Sequence, residues 1–231
     1  MEKTELISKI NEFETSEAYE KCQRVLSLRD EFLNRFPFRQ QPGLIDGLTQ
    51  DNLYNPHSGD TDYFFNWIEH KLQWLGAVSL GSAKPWENAR KNIENFKDLL
   101  KIATDDKISI ANKIDAHWED IKGFGGDRHA VKKIISIYYP EKIIPIFKTE
   151  DWELLFGLLG MDYTERIIDK FRKNYRGASV GEKFENLNEL LLEFKKSQPE
   201  FEKMDNALFM NFLYVVFREE VAKTRNREDL D

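Results

Sequence analysis

The chain has 231 residues, a net charge of −7 and a single cysteine, Cys22. One cysteine excludes an internal disulfide and a cysteine-based zinc site, and the acidic balance argues against a nucleic-acid-binding protein with a broadly basic surface. No apolar run approaches the roughly 18 residues needed to span a bilayer, and the N-terminal sequence MEKTELISKINEF lacks the apolar core of a secretory signal. We therefore expect a globular protein in the reducing cytoplasm, with no membrane partner.

Apolar residues recur at near-helical spacing along most of the chain, which predicts a mainly α-helical, compact multi-helix fold with at most one short strand. The expected helices cover residues 4–36 with a break at 15–16, 63–75, 86–102, 108–121, 127–139, 152–159, 162–175, 184–196 and 204–222. The Pro-, Gly- and Asn-rich stretch 40–56 is typical of a loop. The apolar stretch 143–147 is either a buried extended segment or a single strand.

The pattern favours a single helical domain over residues 1–222. A division into two lobes is the alternative, and its boundary would fall near residues 79–85, a turn of small residues. Residues 223–231 have no apolar periodicity, so we interpret them as a linker or a tail.

Residues 121–135, with the sequence IKGFGGDRHAVKKII, combine a glycine-rich turn with the start of a basic helix. Glycines can adopt a positive φ there, and the free amides at a helix N-terminus can bind an anion. The spacing is close to h-x-G-h-G-x-x-x-A-x-x-h-h and so resembles a helix–hairpin–helix element. This resemblance implies that the turn amides contact one phosphate and nearby lysine or arginine side chains another. The alternative is a tight corner between helices, in which the glycines serve packing alone.

The residues expected to contact DNA lie mostly in this segment. They are Lys122, Gly123, Gly125, Gly126, Arg128, His129, Lys132 and Lys133, together with Lys148, Ser82 and Lys84 outside it. Helix–hairpin–helix DNA glycosylases carry a catalytic aspartate in a V-D-T segment after the turn. The corresponding residues here are 147–149, so Lys148 stands in the place of that aspartate, and Asp151 is explained as an acid in the first turn of a helix. We therefore do not expect base excision.

Three blocks of sequence together resemble the N-terminal region of McrB-type restriction proteins. The blocks are 63–84 (YFFNWIEHKLQWLGAVSLGSAK), 124–147 with YYPEK at 138–142, and 190–217 with PEF at 199–201 and FMNFLY at 209–214. The resemblance spans roughly residues 40–217. It implies a specificity domain, often for modified DNA, that precedes an AAA+ GTPase motor and acts with a partner nuclease. The motor is absent from this chain, because no G-x-x-x-x-G-K-[ST] sequence occurs in it.

We do not expect a catalytic residue, a cofactor or a metal. The segment Glu69–Lys71 spells the E-x-K of metal-dependent nucleases, with Asp60 and Asp62 upstream. Its periodicity is helical, however, whereas that chemistry requires the groups on adjacent strands around a divalent ion. Among the tryptophans, Trp74 and Trp86 flank the 76–85 turn. They are the first candidates for stacking on a base, although aromatic residues at helical spacing more often belong to the core.

These observations favour a non-catalytic DNA-binding specificity domain of a McrB-like restriction system. The alternative is a protein-interaction module that couples a motor or a nuclease to a partner subunit through an aromatic helical surface.

Overall fold

The computed structural model describes residues 3–57, 63–76, 78 and 83–218. Within these ranges all regular secondary structure is helical, which confirms the predicted mainly α-helical fold. The α-helices are α1 (Lys3–Glu14), α2 (Glu17–Arg35), α3 (Gln50–Leu53), α4 (Phe64–Asn66), α5 (Pro85–Lys91), α6 (Ile93–Thr104), α7 (Ile110–Ile114), α8 (His129–Tyr138), α9 (Thr149–Leu159), α10 (Glu165–Phe171), α11 (Val180–Ser197) and α12 (Asn206–Val216). Short 3₁₀ turns lie at Pro42–Gly47, Trp118–Asp120 and Tyr175–Gly177, and a π-helical turn, Trp67–Lys71, continues α4.

Several helices are shorter than the periodicity predicts. The expected break between α1 and α2 is present, where the Ser16 hydroxyl accepts a hydrogen bond from the amide of Tyr19 at 3.2 Å. The prediction of a single helix over 86–102 is wrong. Two helices, α5 and α6, cover this range, because Asn92 between them leaves helical geometry (φ −115°, ψ 46°). The helix expected over 162–175 is confined to α10, since Arg172 turns the chain with φ 55°. Residues 219–222 of the last expected helix lie outside the described residues.

The helix expected over 108–121 is also wrong, because α7 and α11 cap one another. Asp115, just after α7, accepts the amide of Gly181 at 2.8 Å and the hydroxyl of Ser179. In return, Glu185 of α11 accepts the amide of Ala111 at 2.7 Å. Asp115 therefore serves the N-terminus of a distant helix, and α7 ends before it.

Residues 143–147 form the buried extended segment that the sequence left as one of two alternatives. Side chains, not a neighbouring strand, satisfy its backbone. Asn188 accepts the amide of Ile144 at 2.8 Å, and the Trp152 indole N–H donates to the carbonyl of Ile146 at 2.9 Å. This segment leads directly into α9 and positions its first turn.

The buried apolar side chains, from Ile10 to Leu213, form one cluster with members on both sides of residues 79–85. Aromatic rings dominate its centre. Trp86 stacks on Phe65 with ring centroids 4.3 Å apart, and Trp118 stacks on Phe124 at 5.6 Å. Of the predicted lobe boundary at 79–85, only residues 83–85 are among the described residues. The tail predicted at 223–231 lies outside them. None of the described helices is long and apolar enough to cross a bilayer.

The close approach of α7 and α11 depends on Gly181. A Cβ added there would lie 2.6 Å from a carboxylate oxygen of Asp115 and closer still to the carbonyl oxygen of Ala111. We expect Gly181→Ala to lower the free energy of unfolding by about 2 kcal/mol or more through overpacking. Gly157→Ala, in α9 with open space around it, should instead stabilise the protein by about 0.5–1 kcal/mol. Urea denaturation measures both variants, and equal effects would contradict this account of the α7–α11 contact.

Candidate functional site

The glycine-rich turn is packed against the rest of the protein. Gly123 has φ 95°, and a Cβ there would lie 3.1 Å from the Cα of Pro85. Phe124 is fully buried against Trp118. Arg128 adopts a left-handed conformation (φ 57°), so α8 begins at His129 and not at the predicted Asp127. At least one glycine of the turn therefore serves packing directly.

The carboxylate of Asp127 is the centre of a hydrogen-bond network beside this turn. Its Oδ1 accepts the Lys132 ammonium at 2.7 Å and the Thr149 hydroxyl at 2.5 Å, while its Oδ2 accepts the Thr149 amide at 2.7 Å and bonds His129 Nε2 at 3.0 Å. Burial alone would raise the pKa of this carboxyl. The hydrogen bonds and the charge of Lys132 outweigh burial and hold the pKa well below its usual range. The protein thus places its own negative charge where a phosphate was expected.

Lys132 and Lys133 were predicted to contact DNA, and the structure corrects this prediction. The Lys132 side chain is fully buried, and its ammonium also donates to the carbonyl of Phe147 at 2.8 Å. The Lys133 ammonium donates to the carbonyl of Gly76 at 2.9 Å, and burial lowers its pKa to about 7. Nearly every residue of α8 is buried, so the lysines point into the protein and present no basic face.

Arg128 and His129 are also paired within the protein. Arg128, with 13% of its side chain exposed, binds Glu119 at 2.5 Å, and His129 bonds Asp127. The turn therefore exposes less positive charge than its sequence indicates. Gly125 and Gly126 lie next to these residues, and Gly126 has the positive φ of 60° that a glycine allows.

The remaining predicted lysines are accessible. Lys122 and Lys84 are exposed, and Lys148 is half-buried. The Asn88 side-chain amide donates to the carbonyls of Ala83 (2.8 Å) and Lys122 (3.0 Å), so it holds the chain before Lys84 next to Lys122. Lys84 forms an ion pair with Glu87 at 3.2 Å. Ser82, the last predicted contact, lies outside the described residues.

A cavity of about 390 Å³ opens beside Trp74. We call it the tryptophan cavity, and its wall includes Trp74, Phe147, Lys148, Asp151, Asn211 and Tyr214. Trp74 leaves 38% of its surface exposed, whereas Trp86 is a core residue with 2% exposed. Asp151 lies in the first turn of α9, as the sequence predicts. It also lines the cavity, which the sequence did not indicate, and its carboxylate accepts the Tyr214 hydroxyl at 2.6 Å.

Described residues that are close in sequence line the glycine-rich turn and the tryptophan cavity. Gly76 lines the tryptophan cavity, while Val78 and Ala83 line a smaller cavity of about 140 Å³ at the turn, together with Gly123 and Asp127. A Cβ on Gly76 would lie 2.5 Å from the Phe147 ring, so its backbone packs directly against the cavity wall. Lys133 holds the Gly76 carbonyl from the other direction. Gly76 of the tryptophan cavity and Val78 of the smaller cavity are thus only two positions apart in the chain.

The E-x-K residues do not form a nuclease-like group. Glu69 accepts the Tyr54 hydroxyl at 2.9 Å, while the Lys71 ammonium lies over the ring of Trp67, 4.8 Å from its centroid. Asp60 and Asp62 lie outside the described residues. Among the described side chains, no group of three or more His, Cys, Asp or Glu residues could hold a metal ion.

The chain matches no protein-family model, no curated protein and no solved structure. The resemblance to McrB-type proteins therefore rests on the sequence motifs alone.

The Asp127 network predicts a specific acid sensitivity. Because its pKa is lower in the folded than in the unfolded state, Asp127 stabilises the fold fully above the unfolded value of about 4, and this contribution is lost as the pH falls further. We expect Asp127→Asn to cost about 3 kcal/mol at pH 7, since it leaves the Lys132 ammonium buried without a counter-charge. Thermal unfolding at a series of pH values measures the difference in stability between this variant and the unmodified protein, and this difference should narrow below pH 4. A difference that stays constant down to pH 2 would contradict the network.

Lys133 predicts a second pH dependence, at higher pH. The pKa of Lys133 is about 7 in the folded protein and about 10.4 in an unfolded chain. The unfolded state therefore binds more protons between these values, and stability rises with pH across this range. Replacing the ammonium in Lys133→Met should stabilise the protein by about 1 kcal/mol near pH 6, and the gain should shrink towards pH 10. Lys107→Met, at an exposed position, is the control and should show neither effect.

Proposed function

We propose that this chain is a non-catalytic nucleic-acid recognition domain, in which the tryptophan cavity accepts an unstacked base and nearby lysines contact phosphates. The observation that carries the proposal is the cavity itself. It joins an exposed tryptophan to buried polar groups and has the accessible Lys148 in its wall.

The size and the wall of the cavity suit a single base. Its volume of about 390 Å³ falls in the range of roughly 300–1,000 Å³ typical of small-ligand sites. Trp74, Tyr214 and Phe147 supply aromatic surface, and stacking of a base on such a ring contributes about 1–3 kcal/mol. Asp151 and Asn211 supply polar groups that fix the orientation of a ligand.

The phosphate contacts of this proposal are fewer than the sequence predicts. The side chains of Lys132 and Lys133 are buried. The accessible lysines of the predicted set are Lys84, Lys122 and Lys148. A small group of lysines is compatible with a net charge of −7, because charges on other faces are screened beyond about 8–10 Å. Binding would then depend on a local patch and on stacking more than on a basic coat.

The biological setting follows from the resemblance of residues 40–217 to McrB-type proteins. In this setting the chain is the specificity element of a cytoplasmic restriction system for phage defence, and it recognises modified or unmodified DNA. An AAA+ GTPase motor and a nuclease subunit are its partners, and cleavage belongs to the nuclease.

A protein-interaction module is the second candidate, and one observation favours it. An acidic group among aromatic rings, as Asp151 is in the tryptophan cavity, is also suited to a cationic side chain. The overall negative charge would attract such a partner. In this case the cavity would bind a lysine or arginine of another subunit and would not bind a nucleic acid.

Fluorescence anisotropy with a labelled single strand and its matched duplex, at low and moderate salt, tests the proposal. We expect salt-sensitive binding, weakened about tenfold by Trp74→Ala through lost stacking. Lys148→Glu and Lys122→Glu should weaken binding and reduce its salt dependence.

Two matched controls should leave the binding unchanged. Leu158→Ala removes an apolar side chain of the same 38% exposure at the other end of α9. Lys107→Glu reverses an exposed charge in a separate groove beside Tyr139. The proposal is wrong if no strand binds, or if the controls weaken binding as much as the site variants do.

A further inference from the structure

Lys21 of α2 lies against the tryptophan of the proposed site. Its ammonium is 5.0 Å from the centroid of the Trp74 ring, a distance at which a cation is attracted to the face of an indole. The next residue, Cys22, accepts a hydrogen bond from the Asn211 side-chain nitrogen at 3.2 Å, and the same nitrogen donates to the carbonyl of Trp74 at 3.4 Å. Because α2 contributes none of the described residues that line the tryptophan cavity, Lys21 reaches Trp74 from outside the cavity wall.

The ammonium of Lys21 is accessible to a ligand. Its side chain is 39% exposed, and its ion-pair partner Glu17, one helical turn earlier at 2.6 Å, is 78% exposed. An exposed pair of this kind contributes little to stability and is screened by salt. An ammonium has three N–H donors on a flexible stem. A phosphate can therefore take the place of Glu17 while Lys21 stays beside the indole.

Resting on the proposed function, we infer that Lys21 is a phosphate contact of the same site, outside the set that the sequence predicted. Lys148 lies in the cavity wall, whereas Lys21 lies over the Trp74 ring from outside that wall. The two ammonium groups therefore approach the indole from different directions. A nucleotide whose base stacks on Trp74 then has one phosphate near each lysine, so the cavity binds a nucleotide within a strand, with a phosphate on both sides.

The salt dependence of single-strand binding separates this role from a structural one. For single strands, each phosphate contact contributes about 0.7 to the slope of log K against log[salt]. We expect Lys21→Met to reduce the slope by about 0.7, which weakens binding about fivefold at 0.1 M salt relative to 1 M salt. A variant that only disturbed Trp74 would lose affinity at an unchanged slope. Lys21→Arg keeps the charge and should retain both the affinity and the slope.

Glu17 supplies a prediction of opposite sign. Because its carboxylate competes with phosphate for Lys21, Glu17→Gln should tighten strand binding, and the gain should vanish when Lys21→Met is also present. Glu20→Gln and Arg24→Met are the matched controls, since they alter another ion pair between residues four apart in the same helix, at 3.8 Å and with both side chains largely exposed. Each control should leave the slope unchanged, and circular dichroism verifies that each variant is folded.

Small competitors test the arrangement of two phosphates. Adenosine 3′,5′-bisphosphate should displace a labelled strand at about fivefold lower concentration than the better of the two adenosine monophosphates at 0.1 M salt, since it makes one more phosphate contact. Lys21→Met should remove most of this advantage, whereas Arg24→Met should retain it. Competition followed by fluorescence anisotropy measures the ratio for each protein.

The outcomes separate the two proposals. If Lys21→Met has the slope of the unmodified protein while Trp74→Ala still weakens binding, the phosphate contact is overturned and the recognition function stays in place. Equal competition by the bisphosphate and the better monophosphate also overturns the arrangement of two phosphates. Absence of binding to every strand overturns both proposals.

Discussion

The hydrogen bonds of the Asp127 carboxylate join the glycine-rich turn, α8 and the start of α9. Lys132 approaches from α8 and Thr149 from α9. A buried lysine is costly in the absence of a counter-charge, so this ion pair is what allows α8 to pass through the centre of the protein. The same bonds hold residues 147–149 beside the turn. Phe147, Lys148 and Asp151 consequently lie in the wall of the tryptophan cavity.

This arrangement also changes the role of the turn. A helix N-terminus attracts anions, but here a resident carboxylate lies beside it and Arg128 is already paired with Glu119. Additional negative charge from a phosphate would meet Asp127. The turn therefore acts mainly as a support, and the surface that would suit the proposed recognition lies at Trp74, where aromatic area and the accessible Lys148 occur together.

Local sequence signals predicted much of the fold. The helical class and the break after α1 both follow from periodicity and capping residues. The errors arise from long-range contacts. α7 ends early because Asp115 caps a helix whose first residues lie more than 60 positions away, and no window of sequence around 108–121 contains that information. The sequence predicted a basic face at Lys132 and Lys133. It could not indicate that both are buried, because their burial depends on the carbonyls of Phe147 and Gly76. Of the proposed site, the sequence singled out Trp74 and Lys148 but gave no sign that Asp151 and Tyr214 meet.

If the proposed function holds, selectivity and affinity would come from different groups of this protein. Three accessible lysines would displace about two counterions from a single strand, so the electrostatic contribution to binding is small and the acidic surface elsewhere restrains non-specific association. Stacking on Trp74 is tolerant of base identity, and it adds affinity without discrimination. Any discrimination would then come from the polar groups of the cavity wall, among them Asp151 and Asn211, which are held by hydrogen bonds to Tyr214 and Ala207. Since Asp151 lies in α9 and Asn211 in α12, such discrimination would depend on how these two helices pack against one another, and through Thr149 on the carboxylate of Asp127.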